Sequence, residues 1–243
     1  MLSLLLSACD GMIQPEATPT PVMTELPTTQ GNTQGNAAVP DCQVASIFPE
    51  PRPAYEITIP LPEAGDHMRG VKNGRMTLIV YSDFQCPYCA QLEPQIKAFM
   101  DAYPDEVTVI FRNLPLTSIH EKAQLAAQAA EAAALQDKFW EMHDALVESK
   151  NWSAWTALSV DEFQSWLKTT ATSLDLNVEK FMTDLTSKTI EEAVTAETQA
   201  NYELGLNSTP SVFLFLDGDL YFTPDDQIPF TYANLDLIRS LYE

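Results

Sequence analysis

Cys86 and Cys89 are the residues whose type and spacing point most directly to chemistry. Cys86-Pro87-Tyr88-Cys89 follows an apolar, strand-like run from Met76 to Tyr81 and leads directly into a helical pattern. Pro87 suits the first turn of a helix, where a missing N–H costs nothing. The spacing therefore predicts a pair of thiols at a helix N-terminus. Free amide N–H groups and the helix dipole there favour a thiolate over a thiol. The thiolate is the species that attacks disulfides, so the expected chemistry is thiol–disulfide exchange, with no metal or cofactor. A zinc site is the competing use of such a pair. His67, His120 and His143 show no paired-ligand spacing and there is no second CxxC, which argues against it. His120 and His143 read as helix-capping or packing residues, and Trp152, Trp155 and Trp166 as core or rim.

These cysteines need a scaffold, and the surrounding pattern supplies one. Tyr55 to Ile59 alternates as a short strand would, and Asn73-Gly74 marks a turn. Thr77 to Tyr81 and Val107 to Phe111 are continuous apolar, β-branched runs, as expected of strands buried on both faces. Between them Leu92, Ile96, Phe99 and Met100 give a helix its apolar face, and Pro94 is expected to kink it. Ile119 to Leu135 is rich in Ala, the strongest helix former. Helical spacing continues over Lys138 to Val147, Val160 to Thr170 and Val178 to Leu204. Val212 to Leu216 is again a buried strand, Asp217-Gly218 a hairpin turn, Leu220 to Phe222 the return, and Tyr232 to Leu241 a final amphipathic helix.

Four segments make residues 54–243 resemble the DsbA-type branch of the thioredoxin superfamily. Ser82-Asp83-Phe84-Gln85-Cys86-Pro87-Tyr88-Cys89 is similar to the family's active-site turn, and Phe111-Arg112-Asn113-Leu114-Pro115-Leu116 to the end of its second strand. His120 to Ala134 with Lys138-Phe139-Trp140-Glu141-Met142-His143 resembles its helical insertion. Leu204-Gly205-Leu206 and Ser208-Thr209-Pro210-Ser211-Val212-Phe213 resemble the loop that faces the active site. The resemblance implies an α/β, thioredoxin-like fold with a helical insertion, at about 116–205, between its two halves. It implies a cis Thr209–Pro210 bond, with Thr209, Pro210, Pro87 and Tyr88 on the substrate-binding face. Cys86 is then the exposed nucleophile and Cys89 the buried resolving thiol. The implied activity is disulfide formation in exported, cysteine-containing polypeptides, with a membrane partner that reoxidises the dithiol. Two positions depart from the pattern. Tyr88 stands where strongly oxidising members often carry histidine, and Val80 stands where many carry a buried acid. Asp83 reads as a solvated turn residue. Reduction or isomerisation of exported disulfides, including those of cytochrome maturation, and a non-catalytic peptide-binding lipoprotein are the alternatives.

Composition bounds the rest. Residues 9–53 hold eight of the 17 prolines, with Thr, Gln and Asn and little apolar content, and read as a disordered linker. Five acids against one Arg leave −4 in residues 1–53, so −17 of the total −21 falls on the remainder. That charge repels phosphate backbones and argues against nucleic acid as a partner. Leu6-Ser7-Ala8-Cys9 resembles the lipobox of bacterial lipoproteins, which implies a lipid anchor at Cys9 and an extracytoplasmic, membrane-anchored location. Residues 1–8 then form a short or truncated signal peptide, because no basic residue precedes the apolar stretch. Cys42 is left over and reads as a passive free thiol.

Overall fold

The computed structural model describes residues 59–222 and 230–241. Cys9, Cys42, the Pro/Thr-rich linker and nearly all of the Tyr55–Ile59 strand expectation lie outside the described residues. The elements run β1 (His67–Gly70), β2 (Met76–Ser82), α1 (Pro87–Ala102), β3 (Val107–Asn113), α2 (Ala123–Ala134), α3 (Phe139–Val147), α4 (Ser149–Thr156), α5 (Val160–Ser173), α6 (Val178–Leu185), α7 (Lys188–Glu203), β4 (Ser211–Leu216), β5 (Asp219–Phe222) and α8 (Tyr232–Leu241).

Five strands form one sheet in the order β1-β3-β2-β4-β5. β2 is central, parallel to β3 (Met76 opposite Val107) and antiparallel to β4 (Met76 opposite Leu216). Period-2 alternation divides its side chains between two cores. Met76, Leu78 and Val80 pack with Leu92, Ile96 and Phe99 of α1 and with Leu235 and Ile238 of α8. Ile79 and Tyr81 pack on the other face with Ile110, Phe213 and Phe215. This is the thioredoxin-like sandwich expected from the sequence, with α2 to α7 inserted between β3 and β4.

The insertion has its own core. Seven alanines of α2 are buried, and α3, α6 and α7 pack around that helix. Small side chains let those neighbours approach closely, so one slender helix forms the axis of the insertion. Phe84 and Phe111, from the sheet side, join Phe139, Met142, Trp155 and Phe163 in this cluster. The active-site turn is thereby welded to the insertion through Phe84.

Several boundaries differ from the sequence expectation. The single helix expected over Val178–Leu204 is two, α6 and α7. Ser187 caps the second, its hydroxyl accepting the Ile190 N–H, and that capping alternative ends the first helix. The Ala-rich helix begins at Ala123 rather than Ile119, because residues 114–122 form a loop laid against the active-site turn. β1 and α4 were not legible as elements. The hairpin turn is as expected: Asp217 and Gly218 both have positive φ, 51° and 94°, the type I′ geometry.

Candidate active site

β2 ends at Ser82 in the middle of the sheet and hands the chain directly to α1. Cys86 is the N-cap of that helix, with extended backbone (φ −70°, ψ 125°), and Pro87 takes the first helical position. The four free N–H groups at a helix start need acceptors, and a capping side chain normally supplies one. Here that position holds a sulfur, which makes no side-chain capping hydrogen bond. The Cys89 thiol and the N–H groups of Cys89 and Tyr88 lie where they favour its ionised form.

From across the sheet the 208–211 loop closes on the same atom. The Thr209–Pro210 peptide is cis. Cys86 Sγ lies 3.4 Å from the Thr209 carbonyl oxygen, which accepts its S–H while the thiol is protonated. Thr209 Oγ1 is buried without a hydrogen-bond partner, so its proton is available to a sulfur that ionises. The Cys89 hydrogen bond, with further donation from Thr209 and from the Cys89 and Tyr88 N–H groups, outweighs partial burial and lowers the Cys86 thiol to about 5. Cys89 moves the other way. Burial, reinforced by the neighbouring Cys86, raises its thiol well above the ordinary value, although the Asp83 N–H and the Ser82 hydroxyl both reach its sulfur. The two thiols thus have opposite tasks at neutral pH: Cys86 is ionised and attacks or leaves, and Cys89 holds a proton. Both are free in this structure, which is the dithiol form.

The sequence expectations are met unevenly. The fold brings Cys86, Cys89, Pro87, Thr209 and Pro210 together although 123 residues separate Cys86 from Thr209. Tyr88 offers its ring to solvent (69% exposed) while its N–H serves the sulfur. Cys86 is more covered than expected, at 4% exposed against 1% for Cys89, because Cys89 and the Thr209 loop crowd its sulfur. Asp83 requires a correction. It is not a solvated turn residue but 1% exposed, since the 114–122 loop covers it. Its side chain accepts from Gln85 N (2.7 Å), Leu116 N (2.8 Å) and His120 Nδ1 (2.7 Å). The short Asp83–Gln85 bond is an Asx-turn, a signal present in the sequence; nothing local pointed to His120, 37 residues on. Ser82 was also missed. His143, expected to pack, does so: it is buried against Phe84, Phe111 and Trp140. Among the described residues no group of three or more His, Cys, Asp or Glu side chains could hold a metal ion.

The family model described as "Thioredoxin" matches residues 63–227. The chain belongs to the thioredoxin family. Its fold is that of the DsbA-like members, helical insertion included: Wolbachia pipientis alpha-DsbA1 superposes with a TM-score of 0.57 at 18% identity, over 74% of this chain and 90% of that one. A thioredoxin-like oxidoreductase from Silicibacter pomeroyi gives 0.55 at 24%, over 74% and 95%. Among curated relatives, the Na(+)/H(+) antiporter NhaA 3 of Salinispora tropica is 34% identical over 160 residues, 65% of this chain. The chain spans about a quarter of the length of the curated relatives it matches, 23% in that case. A thioredoxin-family fold that sets Cys86 and Cys89 at a helix N-terminus holds the residues that thiol–disulfide exchange needs.

Proposed function

We propose that this protein is an exported, membrane-tethered thiol oxidase that introduces disulfides into cysteine-containing polypeptides outside the cytoplasm. The observation that carries the direction is the Cys86 thiol, lowered to about 5. At pH 7 such a thiol is ionised roughly a hundredfold over, while an ordinary cysteine is nearly all protonated. Two decades of extra stability in the reduced form raise the potential of this two-electron couple by about 60 mV.

The residues divide the work. A substrate thiolate attacks Cys86 Sγ of the oxidised pair, the Cys86–Cys89 bond breaks, and Cys89 leaves and takes up a proton, which its buried site favours. A second substrate thiolate then attacks the substrate sulfur of the mixed disulfide and expels Cys86 as the thiolate. A low-pKa thiolate leaves faster, so release of oxidised product is favoured over reversal. The substrate gives up two electrons and the enzyme is left as the dithiol; a membrane redox partner removes those electrons. Thr209, Pro210, Pro87 and Tyr88 border the sulfur, and backbone pairing with an extended substrate segment suits that border.

The lipobox-like Leu6-Ser7-Ala8-Cys9 supports export and a lipid anchor at Cys9. The antiporter relatives support a place at a membrane, because they join a domain of this type to a protein that moves ions across one. Reduction or isomerisation is the second reading, and Tyr88 is the residue that favours it. Equilibration of the full chain with glutathione decides: the oxidase reading expects a potential at least about 60 mV above thioredoxin's value of about −270 mV, and a value near thioredoxin's rejects it. Loss of membrane partition and of acyl labelling in Cys9→Ser tests the anchor.

A further inference from the structure

The turn that carries the cysteines is clamped to the 114–122 loop more firmly than a turn requires. Leu114 N donates to Ser82 O (2.8 Å), Lys122 N to Gln85 Oε1 (2.7 Å), and Leu116 N and His120 Nδ1 both to Asp83 Oδ2. Asp83 is the hub. Its carbonyl accepts the Cys86 N–H (3.0 Å) and its own N–H reaches the Cys89 sulfur. The Asp83 side chain is wholly buried, and its three partners are all donors, which is the surrounding of a carboxylate.

A carboxylate is an expensive choice there. A negative charge beside a thiolate opposes ionisation of the sulfur, and burying the carboxylate adds a desolvation cost. Asparagine or serine would close the same turn with no such charge. His120 resolves the conflict. Its Nδ1–H donates to Asp83 Oδ2 at 2.7 Å, and 16% of its side chain reaches the surface. The imidazole thus satisfies the carboxylate from the side where water is near.

We infer that His120 and Asp83 form a positioning pair that sets the stability of the reduced Cys86–Cys89 site: Asp83 fixes the turn through its backbone and side chain, and His120 offsets the charge of that carboxylate so that the neighbouring thiolate is not penalised. The inference rests on the reading of Cys86 and Cys89 as the redox couple. Neither residue touches the substrate, and neither is assigned a proton-transfer step.

The two members of the pair predict shifts of opposite sign, which loosened packing would not produce. His120→Ala leaves the carboxylate without its imidazole, so the dithiol/disulfide equilibrium constant against glutathione falls about tenfold, or about 30 mV. The Cys86 thiolate titration moves up in the same variant. His120→Asn places an amide donor near the position of Nδ1 and restores most of the wild-type value. Asp83→Asn removes the charge and keeps an acceptor, so its potential rises. A His120→Ala protein that melts earlier but keeps its potential within about twofold in equilibrium constant overturns the inference. So does an Asp83→Asn potential that is unchanged or lower, and that variant decides alone where His120→Ala does not fold. Wild-type protein with no redox transition at all would instead overturn the cysteine reading itself.

Discussion

Replacing Cys89 by alanine tests why Cys86 is acidic. The helix N-terminus invites the explanation that the dipole and two N–H groups suffice. The larger influence is the Cys89 thiol, a hydrogen-bond donor to the Cys86 sulfur once that sulfur ionises. A hydrogen bond to a charged acceptor contributes about 1.5–3 kcal/mol, and each pKa unit corresponds to about 1.4 kcal/mol. Cys89→Ala should therefore move the Cys86 thiolate midpoint from about 5 to a value roughly one to two units higher. Cys89→Ser keeps a donor in the same place and should stay closer to the wild-type midpoint. Ultraviolet thiolate absorbance against pH, checked by the pH dependence of alkylation rate, reads the midpoint in both variants, each of which keeps one titrating thiol in the site. A Cys89→Ala midpoint still at about 5 would refute the reasoning and return the effect to the helix terminus. A Cys89→Ser midpoint as high as that of alanine would show that packing, not donation, sets it.

Two further predictions concern the frame. Burial and the neighbouring Glu131 raise the Glu197 carboxyl to about 7 from an ordinary 4.5, so the folded state holds a proton that the unfolded chain loses. Stability should then fall by about 3 kcal/mol as pH rises from roughly 4.5 to 7, because the native state binds more protons in that window. Glu197→Gln should abolish that fall, as read by urea titrations across the window; an unchanged pH profile would sink the assignment. Arg112 holds both Asp66 oxygens (2.8 and 2.9 Å) with both side chains 8% exposed, and also donates to Tyr81 Oη and Pro60 O. Arg112→Met should cost about 3–5 kcal/mol by stranding the Asp66 carboxylate in a buried place; a loss under ~1 kcal/mol in chemical denaturation would show that the pair contributes little.

What could be read early and what could not follows from the range of the interactions. β2 and β3 were legible because strands buried on both faces carry a continuous apolar run, as Leu78–Tyr81 and Val109–Phe111 do. β1 was not: His67–Gly70 is short and half polar, and it is a strand only because β3 pairs with it, His67 opposite Phe111. The break between α6 and α7 turns on one capping serine inside a run whose apolar spacing continues across it. Asp83 looked solvated because its neighbours in sequence are those of a surface turn; a loop more than 30 residues away covers it.

By itself the sequence determined the thiol pair, its place at a helix start and the strands and helices that carry it, since spacing and periodicity are local properties of the chain. Tertiary structure alone decided the acidity of Cys86, the protonation of Cys89 and the partnership of Asp83 with His120. Those depend on which donors end within about 3 Å of an atom and on how much water is left around it, and the chain must close loops of 37 and 123 residues before either is settled.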